Sequence, residues 1–505
     1  MTCFSSSCAS ERRMKPWLVL FAVLFSMTLV FRPLWEPDEG RYTDGAIQML
    51  EGGSWLRPSL NPEQPHFSKP PMVYWSLMPG LRLLGRREGA ARLPNFFAWG
   101  GIVLLLWQAG RRFLPEARRG WPALVFASSA FPFFAFSFVT PDILLAFWQA
   151  LAAVAFLCAR YDTGRKDSPF WLTIAYSALG LGFLTKGPPV LLPWVAWGLT
   201  AWLQRDRAIG RQARWVPGLF MFLLLGLTWY LVVGLEDPRL LAFFLKGEVA
   251  DRIFSAAHHR NPQWYKPFII YGPILTFGFL PWIVGAWNSV SRWKWRERLE
   301  ALKQREPWTV FFAVWLLLGI VVFSMVPSRL PLYVLPLSVP MAWGLARLQP
   351  ARVLQSRRIG SGVVLWGLLL FAGVAAGSQS KAKAGARGMA QHLQQAGLLP
   401  VEEIVFVNTR PYYGLAFYTG AEIERCDLDA PKALPGAPYK RFETILEEIT
   451  EDQECRLWAV KEDKLEVLRD LLAHRQTILA DTGPAYRGFA FIKTAARPPD
   501  RGGLP

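Results

Sequence analysis

Five cysteines in 505 residues are too few for a disulfide scaffold, and there are only five histidines. His66, His258 and His259 are too scattered for zinc-ligand spacing. Cys426 and Cys455 lie in the same C-terminal stretch, where one bridge and two buried thiols are equally open readings. Residues 379–505 lack a Gly-rich phosphate loop, a metal-spaced His/Cys set and a nucleophile elbow, so no catalytic role is expected of that stretch, and the chain shows no repeat of fixed period. Charged residues make up only 19% of the chain against 52% hydrophobic, a balance too apolar for one soluble core. A membrane protein is the default.

What the chain does have is an excess of basic residues, a formal charge of +18. Its distribution argues against nucleic acid: residues 379–505 hold 17 Lys and Arg against 18 Asp and Glu, so the excess sits in the first 378 residues, between apolar stretches. About eleven such stretches have the length and near-absence of charge needed to cross roughly 30 Å of hydrocarbon. They run near Trp17–Phe31, Leu93–Gly110, Trp121–Val139, Ile143–Cys158, Phe170–Leu184, Val190–Leu203, Trp215–Leu235, Pro267–Trp287, Trp308–Val326, Pro331–Ala346 and Gly360–Ala376. With the amino terminus inside, the basic connections at Arg111–Arg119, Arg160–Lys166, Arg205–Arg214, Arg292–Arg305 and Arg347–Arg358 all face the cytoplasm. The first run ends in Phe31-Arg32-Pro33-Leu34-Trp35, which offers no small-residue cleavage site, so it reads as a retained helix.

Two outer segments, 32–92 and 236–266, are too long for simple connections. Within the first, Asp44–Leu50 and Met72–Leu84 carry apolar residues at helical spacing with Trp55, Tyr74 and Trp75 nearby, which suits short helices in the headgroup layer. The expected division is a transmembrane domain over 1–378 and a soluble α/β domain over 379–505. In the latter, β-rich runs at Glu403–Asn408, Glu422–Leu428, Arg456–Val460, Thr477–Leu479 and Gly488–Lys493 alternate with helical patterns at Met389–Ala396, Phe442–Ile449 and Lys464–Ala473. Arg497–Pro505 reads as a frayed tail.

Residues able to carry chemistry gather in the outer loops. Asp38, Glu39, Arg41 and Tyr42 follow the first span; an acid there suits a general base or metal ligand, and equally a helix cap. Lys69, before Pro70-Pro71, is a point charge for a lipid phosphate or a snorkelling side chain. Asp142 opens a span, where capping is ordinary. Lys186 adjoins a helix start at Pro188, a place that favours anions. Arg252 and Arg329, the latter near Tyr333, add guanidinium groups able to clamp phosphate.

The order Pro37-Asp38-Glu39-Gly40-Arg41-Tyr42, Gly53-Ser54-Trp55-Leu56-Arg57-Pro58, Lys69-Pro70-Pro71 with Tyr74-Trp75, Ala91-Arg92-Leu93-Pro94, Thr140-Pro141-Asp142, Thr185-Lys186-Gly187-Pro188 and Tyr333-Val334-Leu335-Pro336 resembles the GT-C class of lipid-linked-sugar glycosyltransferases. It is most similar to the group of the lipid A 4-amino-4-deoxy-L-arabinose transferase, related to protein O-mannosyltransferases, over roughly residues 15–340. The resemblance implies a polytopic α-helical GT-C fold with a periplasmic C-terminal α/β domain in a bacterial inner membrane. It also implies a polyprenyl-phosphate sugar donor such as undecaprenyl phosphate, and a lipid A, glycan or protein acceptor. Asp38 and Asp142 would be the acidic residues near the reacting centre. Lys69, Lys186, Arg252 and Arg41 would face the donor phosphate, with Glu39, Tyr42, Tyr333 and Arg329 lining the pocket. Relatives often carry Glu where this chain has Ser68, which leaves use of a divalent metal ion open. A protein O-mannosyltransferase-like enzyme is the alternative reading, and a lipid flippase is the alternative from another class.

Overall fold

The computed structural model describes residues 4–61, 65–162, 168–244, 261–291, 306–350, 359–379, 385–428, 433–434, 437–441, 443–450 and 455–496. Every one of the eleven apolar stretches folds as helix. Among the described residues, five helices are long and apolar enough to cross a membrane: Met14–Phe31, Pro141–Tyr161, Arg207–Glu236, Pro307–Met325 and Gly360–Ser378. A sixth is obtained if Lys266–Phe279 and Trp282–Val290, which meet at 92°, form one broken span. The bend falls at Pro281, which has no N–H to continue the helix. The stretch Trp121–Val139 is likewise divided, into helices Trp121–Ser128 and Ala130–Ala135. Proline has the opposite use at Pro141, Pro217 and Pro307, where it sits in the first turn of a helix and costs no hydrogen bond.

The chain divides into two compact units, one of residues 1–32 and 92–377, the other of residues 33–91 and 378–505. The first outer segment, expected as a loop of a 1–378 transmembrane domain, therefore belongs to the same compact unit as the C-terminal domain.

The first unit is a helical bundle filled by large side chains. Trp99, Trp121, Trp197, Trp315 and Trp343 are fully buried, with Trp99 stacked on Phe25 at 4.8 Å between ring centroids. Helices Ser168–Lys186 and Val216–Glu236 approach at Gly180 and Gly226, where a Cβ on Gly226 would meet the Gly180 carbonyl at 3.3 Å. Such close contact is how helices associate where lipid is as apolar as the side chains. Phe220, Leu223, Leu231, Leu317, Val321 and Leu365 point outward, as a lipid-facing surface requires.

Helix Pro141–Tyr161 sets the dimension of this unit: its 21 residues carry the chain about 30 Å, the thickness of a hydrocarbon core. At its Arg160 end described residues of four of the basic connections meet, the connection 292–305 lying outside the described residues. Arg160 pairs with Asp206 at 3.0 Å, Arg112 with Asp162 at 3.3 Å and Arg347 with Glu306, while Arg118 donates to the Ala346 carbonyl at 2.9 Å. At its Asp142 end lie Asn95, which donates to Phe136 and Phe138 carbonyls, and Lys186, which pairs with Asp142. The described basic residues and the Asp142–Lys186 pair thus occupy opposite ends of one helix.

The second unit is built on a six-stranded sheet in the order β5-β2-β1-β6-β8-β7. These strands are β1 (Glu403–Val407), β2 (Glu422–Asp427), β5 (Glu443–Thr444), β6 (Arg456–Lys461), β7 (Gln476–Tyr486) and β8 (Phe489–Ala496); β3 (Ala433–Leu434) and β4 (Ala437–Arg441) pair separately. β5, β2, β1 and β6 run parallel to their neighbours, and β8 and β7 add an antiparallel edge. β1 is buried along its whole length, which explains its unbroken apolar run Ile404-Val405-Phe406-Val407. Helices Asp38–Glu51 and Met72–Leu84 from the first outer segment complete this unit, packed against each other where the Tyr74 ring lies on Gly45. Cys426 and Cys455 are both free thiols, so no bridge joins them.

Candidate functional site

In the second unit, helix Asp38–Glu51 begins directly after Pro37, so the first-turn carboxylates Asp38 and Glu39 both lie where the helix dipole favours negative charge. Their fates differ. Glu39 is buried and accepts the Trp35 N–H at 2.9 Å, which fixes the entry turn instead of lining an open pocket. Asp38 stays exposed and receives the Arg41 guanidinium at 2.9 Å, one helical turn on. Arg41 also lies over the Tyr42 ring, 5.3 Å from its centroid. Asp38, Arg41 and Tyr42 therefore form one constellation: an accessible carboxylate steered by a cation that an aromatic ring holds in place.

Lys69 directs its ammonium to the Ser68 carbonyl at 2.6 Å, and the Ser68 hydroxyl contacts His66 Nε2. The Gly53–Pro58 and Lys-Pro-Pro motifs are joined by the Trp75 indole, which donates to the Trp55 carbonyl at 2.7 Å.

In the first unit, the ammonium of Lys186 pairs with Asp142 and sits over the Tyr333 ring at 4.3 Å from its centroid. These three predicted residues come from separate helical segments and meet at one point. Lys186 is thus not a bare phosphate clamp; it already carries a counter-ion, and both side chains are largely buried. Arg329 is buried and is directed to main-chain carbonyls of Asn261 at 2.9 Å, Gln263 at 3.0 Å and Ser324 at 2.8 Å. It fastens the segment around 261–263, a structural use in place of the expected pocket lining. Arg252, with His258 and His259, lies outside the described residues.

Several residues with strong roles carried no signal beyond their motifs. Arg32 and Arg92 are fully buried; Arg92 donates to carbonyls of Leu29 and Arg32, at 3.1 and 2.5 Å, and Arg32 donates to Ser137 at 2.6 Å. They close the end of the first helix, which accounts for the arginine of Ala91-Arg92-Leu93-Pro94. Glu36 is buried in the second unit and accepts the Gly414 N–H at 2.8 Å. Asp44, two helical turns beyond, is buried as well.

Burial drives the Glu36 carboxyl from its ordinary 4.5 up to about 8, opposed by the Gly414 hydrogen bond and reinforced by Glu39. Burial likewise raises Asp44, with Glu36 adding to the shift. Between pH 4.5 and 8 the unfolded chain therefore releases a proton from Glu36 that the folded chain keeps. Stability from this group is full below about 4.5 and is lost as pH rises through 8, and Asp44 adds in the same direction. Glu36→Gln is expected to flatten the decline in unfolding temperature between pH 5 and 8 in purified protein; an unchanged slope would count against a buried, protonated Glu36.

Among the described residues, the group of three carboxylates close enough to share an ion is Glu403, Glu424 and Glu448. Arg456 already serves as their cation, at 2.6 Å from Glu403 and 3.3 Å from Glu448. At Asp38 the described partner is Arg41, a cation, so the donor set there does not fit a divalent metal.

The family described as Dolichyl-phosphate-mannose-protein mannosyltransferase matches residues 68–232. An undecaprenyl phosphate-alpha-4-amino-4-deoxy-L-arabinose arabinosyl transferase of Pseudomonas paraeruginosa (strain DSM 24068 / PA7) is 30% identical over 374 residues, covering 70% of this chain and 63% of the relative. The protein of the same name from Serratia proteamaculans (strain 568) is 28% identical over 332 residues, 65% of this chain and 58% of its own. A crystal structure of ArnT from Cupriavidus metallidurans bound to undecaprenyl phosphate superposes with a TM-score of 0.77 at 18% identity, over 96% of this chain and 99% of that one. The fold is shared with ArnT. The Archaeoglobus fulgidus oligosaccharyltransferase is a more distant likeness, with a TM-score of 0.52 at 14% identity over 84% of this chain and 65% of that one. The chain spans about three-fifths of the length of the curated arabinosyl transferases it matches. The GT-C resemblance read from the motifs is thus met both in sequence and in fold.

Proposed function

We propose that the chain is a membrane glycosyltransferase that moves a sugar from undecaprenyl phosphate to lipid A, the sugar being 4-amino-4-deoxy-L-arabinose. The observation that carries this reading is the match to arabinosyl transferases over 70% of the chain, in a chain that places Asp38 accessibly beside Arg41. The motif end of the first unit faces the periplasm of a bacterial inner membrane, a reading supported by basic connections gathered at the opposite end.

In the proposed reaction an acceptor hydroxyl attacks the anomeric carbon, the bond to the carrier phosphate breaks, and Asp38 takes the hydroxyl proton. The departing polyprenyl phosphate keeps the electron pair of the broken bond, and Lys69, Lys186 and Arg252 stabilise the charge that gathers on it. Binding of that phosphate would draw Lys186 from Asp142, which frees a second carboxylate in the same act.

The mannosyltransferase match over residues 68–232 favours a second reading, in which the acceptor is a serine or threonine of a secreted protein. Purified protein incubated with synthetic undecaprenyl-phosphate aminoarabinose and lipid A decides between them. Lipid A heavier by one sugar supports the proposal; transfer to a secreted protein alone supports the second reading; and redistribution of labelled carrier lipid across vesicles without transfer replaces both with a flippase.

A further inference from the structure

The short helix Gly414–Thr419 lies in the C-terminal domain, more than 300 residues from the first outer segment, yet it bonds that segment at four places. Its first N–H donates to Glu36 at 2.8 Å. The Ala416 carbonyl accepts Arg86 at 2.7 Å, and the Tyr418 hydroxyl accepts the Leu34 N–H at 2.9 Å and reaches Glu88 at 3.1 Å. Arg387, from the helix Gly385–Gln395 before it, pairs with Glu88. Both ends of the outer segment are therefore fastened to one piece of the C-terminal domain.

The tightest point is at Glu36. A Cβ on Gly40 would meet the Glu36 carboxyl and the Gly414 backbone nitrogen, and a Cβ on Gly414 would meet Glu36 as well. Two glycines thus allow the start of helix Asp38–Glu51 to lie against the start of helix Gly414–Thr419, with the Glu36 side chain between them. Asp38 is two residues further on, at the first turn of the helix so held.

We infer that Glu36 is a positioning residue: through the Gly414 N–H it clamps the Asp38–Arg41 turn to the C-terminal domain, which makes that domain part of the catalytic apparatus. The inference rests on the proposed transferase reading. Glu36 is closed off from water and its role is to accept one hydrogen bond, a task its neutral form performs. Burial favours that neutral form. A glutamine, with the same shape and a carbonyl in the same place, should do the same.

The test uses full-length protein in detergent micelles, with undecaprenyl-phosphate aminoarabinose and lipid A as substrates. Glu36→Ala is expected to lower kcat and kcat/KM equally, by roughly tenfold to a hundredfold, the cost of a misplacement on the order of 1 Å at the reacting centre. Glu36→Gln should restore wild-type kcat. Gly40→Ala, which wedges the two helices apart with Glu36 intact, should resemble Glu36→Ala. Wild-type kcat in Glu36→Ala, or a loss in Glu36→Gln equal to that in Glu36→Ala, overturns the inference. Hydrogen exchange separates this from failure of the transferase reading: Glu36→Ala should speed exchange in peptides 33–51 and 414–419, and Glu36→Gln should not. If the wild-type protein transfers no sugar but this exchange pattern is seen, the clamp stands and the transferase reading falls. Unchanged exchange in Glu36→Ala overturns the clamp.

Discussion

Asp38→Ala is expected to slow sugar transfer by about 10²–10⁴-fold, the range for a lost general base, while the second unit keeps its fold. The separation of rate from stability follows from where the side chain sits. Asp38 is 58% exposed, and its described ion pair is with Arg41 on the same helix. Surface pairs of this kind are worth between 0 and about 1 kcal/mol, so removing one leaves the helix in place. The neighbouring Glu39 behaves oppositely: it is buried and holds the Trp35 N–H, so its loss should unsettle the turn. Transfer rates and thermal unfolding of the two alanine variants check this together. Asp38→Ala should lose rate and keep its unfolding temperature; a fall in both would make Asp38 a structural cap.

Lys186→Ala is expected to lose both activity and stability. Asp142 would remain largely buried without its cation, and breaking a buried ion pair by removing one partner costs about 3–5 kcal/mol. The double variant Lys186→Met with Asp142→Asn removes both charges and should recover most of the unfolding temperature, because an apolar replacement of a buried pair is often neutral. It should recover no transfer, since the cation assigned to the leaving phosphate is gone. Recovery of transfer in the double variant would show that the pair only holds three helical segments together.

The membrane architecture could be read in the sequence because apolar runs of span length are a direct consequence of the solvent. All eleven runs contain helix, but among the described residues five helices, or six with the pair broken at Pro281, are long and apolar enough to cross a membrane, so the expected eleven spans are not met as a count. Three strands of the C-terminal domain were equally readable, Glu403–Val407, Glu422–Asp427 and Arg456–Lys461 falling within a residue of the runs that suggested them, whereas the antiparallel edge strands Gln476–Tyr486 and Phe489–Ala496 run well past the expected Thr477–Leu479 and Gly488–Lys493. Helix Gly414–Thr419 gave no signal, since six residues are too few to show a period. That omission hid the larger point. Glu36 stands just before the Pro37–Tyr42 motif, and nothing local shows that a glycine 378 residues away covers it.

The individual site residues were less readable than their order. Asp142 and Lys186 each read as an ordinary helix-end residue, and only the packing of their two helices makes them a pair. Arg329 had the right residue type for phosphate, but the carbonyls of 261, 263 and 324 take its donors. Asp38 is the residue whose placement agrees with the expectation most simply: at a helix start, exposed, and beside an arginine.

The central claim is sugar transfer dependent on Asp38, and mass spectrometry of lipid A and of secreted glycoproteins tests it most directly. Three strains are compared: one with the wild-type protein, one with Asp38→Ala and one without the protein. The account predicts a mass increase of one aminoarabinose on lipid A in the first strain and its absence in the other two. Identical lipid A and identical glycoproteins in all three strains would contradict it.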